Sequence, residues 1–283
     1  MSPQSAPPAP PLENWRQQLT GPAHALFAPQ LARLDAARFP SRFPDCAALN
    51  ALLEDCHRNA TGQAIRFVPA AFASPHASYE ARIFEAGEIA TREHNWHDLF
   101  NALAWLTFPR TKHELNRLHC EHALGQSGSR GAVRDALTLF DESGVFIACS
   151  DASLAQLLAD FQWRALFVQR RADVQRHMRF FVIGHALQEQ MLRPYPGVTG
   201  KAFILDCDAA FMHRPLPEQL CELDERTAQW ISRPGALAST RVLSPLPLLG
   251  IPGWDPANAE AAYYDNTNVF RPGRRNAQVR SVE

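Results

Sequence analysis

Apolar residues recur at helical spacing in several stretches of the chain. Leu49, Leu52, Leu53 and Cys56 repeat every three or four positions, which predicts a helix over residues 45–60. Residues 14–19 and 29–37 are shorter helical candidates, 63–69 reads as a strand, and 79–86 is amphipathic and helical. The sharpest pattern follows. Asn95 is a good N-cap before Trp96, and Asp98 at the third helical position suits the positive end of a helix dipole. That helix runs to Phe108 and stops at Pro109. Thr111 and Glu114 then form a Thr-x-x-Glu capping box for a second helix, ending near His122. The link between them is short, so the two are expected to pack antiparallel.

Beyond a glycine-bearing loop at 125–131, apolar runs at 137–140 and 145–148 flank Asp-Glu-Ser-Gly, the pattern of a β-hairpin. Asp151 caps a helix reaching about Trp163. Residues 172–192 suit one long helix, and Gly184 inside it marks close approach to another element. Residues 201–205 form a strand and 217–231 a helix. The proline-rich stretch 244–256 is expected to be irregular, and 263–271 is a final strand candidate. No internal repeat or clean linker interrupts the pattern. The expectation is an α+β fold, a predominantly helical single domain with a small antiparallel sheet, spanning 12–272. A proline-rich tail at 1–11 and a flexible C-terminal tail at 273–283 flank it.

Composition narrows the class. The chain has 283 residues, 46% hydrophobic and 20% charged, which suits a globular protein with a sizeable core and excludes collagen-like and disulfide-scaffold chains. A formal charge of −1 offers no global field to attract nucleic acid. Residues 99–108, the longest apolar stretch, are too few to span a bilayer. The proline-rich start lacks the apolar run of a secretory signal. Six cysteines show no Cys-x-x-Cys pair, so reduced thiols and a cytoplasmic location are expected. Gly-x-Gly-x-x-Gly, Walker-type and Gly-x-Ser-x-Gly motifs are missing, which removes the commonest nucleotide-binding and serine-hydrolase routes.

Polar chemistry concentrates between residues 94 and 122, which hold five of the eleven histidines (94, 97, 113, 119 and 122). On the first helix His97 and Asn101 share a face, with Asp98 and Trp105 beside them. On the second, Lys112, Asn116 and His119 form one polar line beside Leu115 and Leu118. Only two of the 28 basic residues are lysines, 112 and 201, so Lys112 marks a position that needs a compact ammonium, unless it is there by chance. If the two polar lines meet, His97, Asp98, Asn101, Lys112, Asn116 and His119 make one pocket wall. Each also has a plainer reading: Asp98 caps its own helix, and Asn101 and Asn116 bond one another. Histidines 94, 113 and 122 read as solvated. His185 and Glu189 lie four apart and can reach one point, completing a metal site or simply pairing. Asp141 and Glu142 read as turn residues. Asp265 and Arg271 bracket the last strand candidate, as ligand or base and anion clamp, or as anchors of the C-terminal segment.

The stretch TREHNWHDLFNALAWLTFPRTKHELNRLH, residues 91–119, resembles the hallmark of an uncharacterised bacterial domain-of-unknown-function family. RDALTLFDESGV, GHALQEQ with a following proline, LPLLGIPGW and YYDNTNVFRP extend the resemblance from about Tyr79 to Pro272. The resemblance implies a bacterial protein of this size, usually standing alone, and implies no reaction. Its blocks contain every candidate site residue.

These features favour a metal-dependent hydrolase. His97, His119 and His185 would hold zinc, iron or manganese, with Glu189 or Asp98 as fourth ligand or general base. Lys112 or Arg271 would stabilise developing negative charge, beside Asn101 and Asn116. The alternative is a non-enzymatic binding or adaptor protein, whose polar helices are structural and whose 248–254 loop is exposed for contacts. The partner is then a small molecule or a protein. A third reading, RNA or phosphate binding through Arg110, Arg117, Arg130 and Arg134, conflicts with the net charge.

Overall fold

A computed structural model describes residues 13, 15–19, 24–33, 42–72, 78–123 and 129–273. The tails at 1–11 and 274–283, most of the 125–131 loop, and the end of the 29–37 candidate lie outside the described residues. Helices α1 (Trp15–Gln18), α2 (His24–Arg33) and α3 (Cys46–Asn50) come first. Strand β1 (Arg66–Pro69), helix α4 (Tyr79–Ala86) and strand β2 (Glu88–Thr91) follow, and β1 pairs with β2 in parallel. Helices α5 (Trp96–Thr107), α6 (Pro109–Ala123) and α7 (Ser129–Ser143) lead into β3 (Gly144–Cys149). Then come α8 (Ala152–Ala159), a short π-helix at Ala165–Gln169, α9 (Arg171–His177), β4 (Met178–Val182) and α10 (His185–Met191). The chain closes with β5 (Thr199–Asp206), α11 (Leu216–Ile231), β6 (Ser244–Pro247) and short 3-10 turns.

The class is α+β, as the patterning predicts. Its larger sheet is mixed, in the order β4-β3-β5-β6, with β3 and β5 parallel and the outer pairs antiparallel. All six residues of β3 are buried, the mark of a strand covered on both faces. Successive side chains of β3 point to opposite faces, so Val145, Ile147 and Cys149 join one apolar cluster and Phe146 and Ala148 the other. The first cluster includes Trp96, Leu99 and Leu103 of α5 and Leu187 and Met191 of α10. The second includes Leu115 of α6, Leu137 and Phe140 of α7, and Leu223 and Trp230 of α11. Trp230 stacks on Phe203 of β5, with ring centroids 3.8 Å apart.

Local signals account for several elements. Ser78 caps α4 from its side chain, and Gly87 ends it at φ +67°, where a Cβ would also meet the Ala64 carbonyl oxygen at 2.5 Å. Asn95 caps α5 by accepting from the Asp98 amide at 3.0 Å.

Other expectations are corrected. The helix foreseen over 45–60 stops at Asn50, whose side chain instead bonds both polar backbone groups of Phe67 on β1. The foreseen hairpin is a helix followed directly by a strand: Ala136, Leu137 and Phe140 are the inward face of α7. The long 172–192 helix is broken, because Met178–Val182 pairs antiparallel with β3. The final strand is replaced by turns, with the Asn266 carbonyl accepting from Val269 and Phe270. The capping box at Thr111 is not what starts α6. Pro109 occupies the first helical turn, and the buried Asp224 of α11 accepts from the amides of Arg110 and Thr111 at 3.0 and 2.8 Å. Nor do α5 and α6 find their main partners in each other: α5 packs on α10 and α2, and α6 on α11, α7 and α4. In the 244–256 stretch, Ser244–Pro247 pairs at the sheet edge, where proline is tolerated. Leu248, Leu249, Ile251 and Trp254 are buried, so this loop is core rather than an exposed contact surface. Among the described residues, no helix is long and apolar enough to cross a membrane.

Candidate metal centre

Helices α5, α7 and α10 converge where α7 hands over to β3. The convergence depends on Gly184, the residue before α10. A Cβ there would lie 2.6 Å from the Glu142 carbonyl oxygen, the Ser143 Cα and the Gly144 nitrogen. The Ile183 and Gly184 amides both donate to the Gly144 carbonyl, at 3.1 and 3.0 Å. This close approach sets His185, the first residue of α10, against Asp141 and Glu142 in the last turn of α7.

The result is a cluster of three ligand-type side chains. One donor atom each from His97, Glu142 and His185 lie within 4.8 Å of one another. The two imidazoles meet edge to face, with centroids 4.5 Å apart. His185 Nε2 lies 3.5 Å from Glu142 Oε1, and His97 Nδ1 lies 3.2 Å from Glu189 Oε2. The Glu189 bond raises the His97 pKa, against the opposing effect of burial. Glu142 is held below the usual carboxylate range, first by His185 and further by the charge of His97. The cluster opens to solvent on one side: His97 and Glu142 are 30% and 37% exposed, while His185 is 6% exposed.

Behind it runs a line of polar groups in which Lys112 and Asn101 are buried and Tyr79 reaches the surface. Lys112 Nζ donates to Asp141 Oδ1 at 2.5 Å and to Asn101 Oδ1 at 2.9 Å. Asn101 Nδ2 donates to the Tyr79 hydroxyl at 2.6 Å. Burial raises the Asp141 carboxyl, but Lys112 and His185 outweigh it and hold the pKa below its ordinary value. Burial, and then the charge of Glu80, pushes the Tyr79 phenol up. Asp141 Oδ2 approaches His185 Nδ1 only to 3.9 Å, and that buried nitrogen makes no hydrogen bond.

Of the residues singled out in the sequence, His97 and His185 come together in the cluster, Glu189 braces His97, and Lys112 and Asn101 stand behind. Asn116 shares the Lys112 face, but its Nδ2 donates to the Glu80 carbonyl of α4 at 3.0 Å. Asp98 turns away to clamp Arg92, accepting from its amide at 2.6 Å and from its guanidinium at 2.7 and 3.0 Å. His119 is outside the three-donor cluster, and its charge reaches Asp141 only as a weak electrostatic effect. Arg271 is exposed, donating to the Asn268 carbonyl while its own carbonyl accepts from Trp163. Asp265 pairs with Arg164. Asp141 and Glu142 are the functional candidates that pattern reading placed in a turn. The signal that could have found them is the helical spacing of Leu137, Phe140 and Asp141.

Three side chains from three helices, with a solvent-facing side, match the way catalytic zinc-type centres are built, with three protein donors and one open position. Tetrahedral donors about 2.0–2.2 Å from such an ion sit roughly 3.3 Å apart, so these donors need only modest closing to fit one. The Glu189 carboxylate on Nδ1 fixes the His97 ring and leaves its Nε2 free for a ligand.

Residues 65–274, which include every member of the cluster, match the family described as protein of unknown function, DUF3025. Searches of curated proteins and of solved structures find no match. The chain belongs to the DUF3025 family.

Proposed function

We propose that this DUF3025 protein is a metal-dependent hydrolase whose centre is His97, Glu142 and His185. The observation that carries the reading is the meeting of their three donor atoms within 4.8 Å, beside solvent. An ion of the zinc, iron or manganese type suits two imidazoles and a carboxylate. Held by His97, Glu142 and His185, such an ion would lower the pKa of a bound water toward neutrality and so supply a water-derived nucleophile for hydrolysis, in which water adds to the electrophilic centre and the leaving group takes up the proton.

The protein's own groups do the rest. Glu189 holds the His97 imidazole in one orientation. Asn101 and Lys112 support the wall behind the centre, and the lysine charge is spent on Asp141 rather than offered to substrate. Of the sequence candidates, His119, Asp98, Asn116 and Arg271 take no part in this reading. The substrate is a small molecule or an exposed group on a protein. The test is hydrolysis of ester, amide and phosphoester panels by metal-loaded protein. Activity abolished by chelation and by His185→Ala, and restored by adding metal to the wild type, supports the reading. No metal-dependent turnover on any panel, by protein shown to hold metal, contradicts it.

A further inference from the structure

The centre contains an asymmetry between its two histidines. His97 has a hydrogen-bonded carboxylate on Nδ1, supplied by Glu189. His185 has its carboxylate, Asp141, only within 3.9 Å of Nδ1, and that nitrogen is buried without a partner. The Lys112 contact of Asp141 suits it to the same role. Its Oδ1 is fixed by Lys112 at 2.5 Å, and Lys112 is itself fixed by Asn101. The lysine is 4% exposed, so a charged pair has been buried here at considerable desolvation cost. Oδ2 is left facing the imidazole.

We infer that Asp141 is a positioning residue for the metal, completing a hydrogen bond to His185 Nδ1 when Nε2 takes an ion, with Lys112 holding Asp141 in place. This rests on the metal reading above and goes beyond it. Closing 3.9 Å to a normal hydrogen bond requires a movement of about 1 Å, within reach of a side-chain adjustment. Nε2 already faces Glu142 at 3.5 Å, so the ring needs no flip to present that nitrogen. A donated Nδ1–H fixes the tautomer and makes Nε2 a better donor to the ion. Two imidazoles, each backed by a carboxylate, would then hold one ion from α5 and α10.

The experiment is a zinc titration against a chromophoric competing chelator, with the melting curve of each metal-free protein recorded alongside. Asp141→Asn keeps the shape of the side chain and removes its charge. The double variant Lys112→Met/Asp141→Leu removes the buried pair together, so no lone charge remains in the core. Both are expected to weaken zinc binding about 10–100-fold, the usual effect of losing such a carboxylate. If Asp141 served only to neutralise Lys112, the double variant would bind zinc as the wild type does, and the inference would be overturned. Wild-type affinity in a folded Asp141→Asn would overturn it equally, which keeps the test decisive should the double variant not fold. A wild-type protein that takes up no zinc, iron or manganese would remove the metal reading itself, and this inference with it.

Discussion

Lys112 and His97 stand at opposite ends of one line of polar side chains, and their surroundings differ in kind. At the inner end, the buried Lys112 donates to Asn101 at 2.9 Å and to the largely buried Asp141 at 2.5 Å. At the outer end, His97, Glu142 and Glu189 are each about a third exposed, and the His185–Glu142 contact is 3.5 Å. Short, mutually satisfied bonds make the inner end a fixed support. Longer contacts, an unpartnered buried nitrogen and solvent access make the outer end a place where something else can bind. Buried polar groups are costly unless fully partnered, and on the proposed reading the inner end is retained to hold the outer one.

The sharpest way to break this contrast is to strip the inner end of its cation. Lys112→Met leaves Asp141 buried without its partner and is expected to cost about 3–5 kcal/mol, read from chemical denaturation. Adding Asp141→Leu should recover much of that loss. An unchanged midpoint in the single variant would mean the inner end is not a support.

Gly184→Ala attacks the join between the two ends. Its Cβ would lie 2.6 Å from backbone atoms at the α7–β3 junction, so α10 must shift. A loss of about 1–3 kcal/mol is expected by analogy with overpacking, with metal affinity falling because His185 moves too. Asp224→Ala acts at a distance, by uncapping the helix that carries Lys112. It should cost about 1–2 kcal/mol in thermal or denaturant unfolding and leave metal binding nearly intact.

The smallest effect concerns the outer end and depends on pH. The His97 pKa is raised above 6.5 in the fold, chiefly by Glu189. A raised histidine pKa contributes stability that is fully present below about 6.5 and is lost as pH rises through the folded value. In metal-free protein, the melting temperatures of wild type and Glu189→Gln should therefore differ most below pH 6.5 and converge above it. A difference that grew with pH would reverse the assignment.

How much of this could be read from the sequence follows the range of the interactions. The Asn95 cap, the shared face of His97 and Asn101, and the shared face of Lys112 and Asn116 are local and were legible as spacing. So was the close approach at Gly184, though not its partner. Asp141 and Glu142 were not, because Ser143 and Gly144 join helix to strand with no linker, and Asp-Glu-Ser-Gly is equally a turn sequence. The cap on α6 comes from Asp224, 113 residues beyond Thr111, where no local pattern can reveal it. His119 shows the opposite error. It continues the line of Lys112 and Asn116, but Asn116 is taken up by Glu80 of α4 and His119 is not among the three donors that meet. Strand β4 hid inside a helical pattern because its residues are chosen by pairing with β3, a nonlocal constraint.

The central claim is that His97, Glu142 and His185 hold an ion. Its most direct test is metal content by elemental mass spectrometry, on tag-free wild type beside folded His185→Ala and His119→Ala variants. The account predicts close to one zinc, iron or manganese per chain in the wild type and in His119→Ala, and near zero in His185→Ala. Equal metal in all three, or none in the wild type after reloading with each ion, would contradict it.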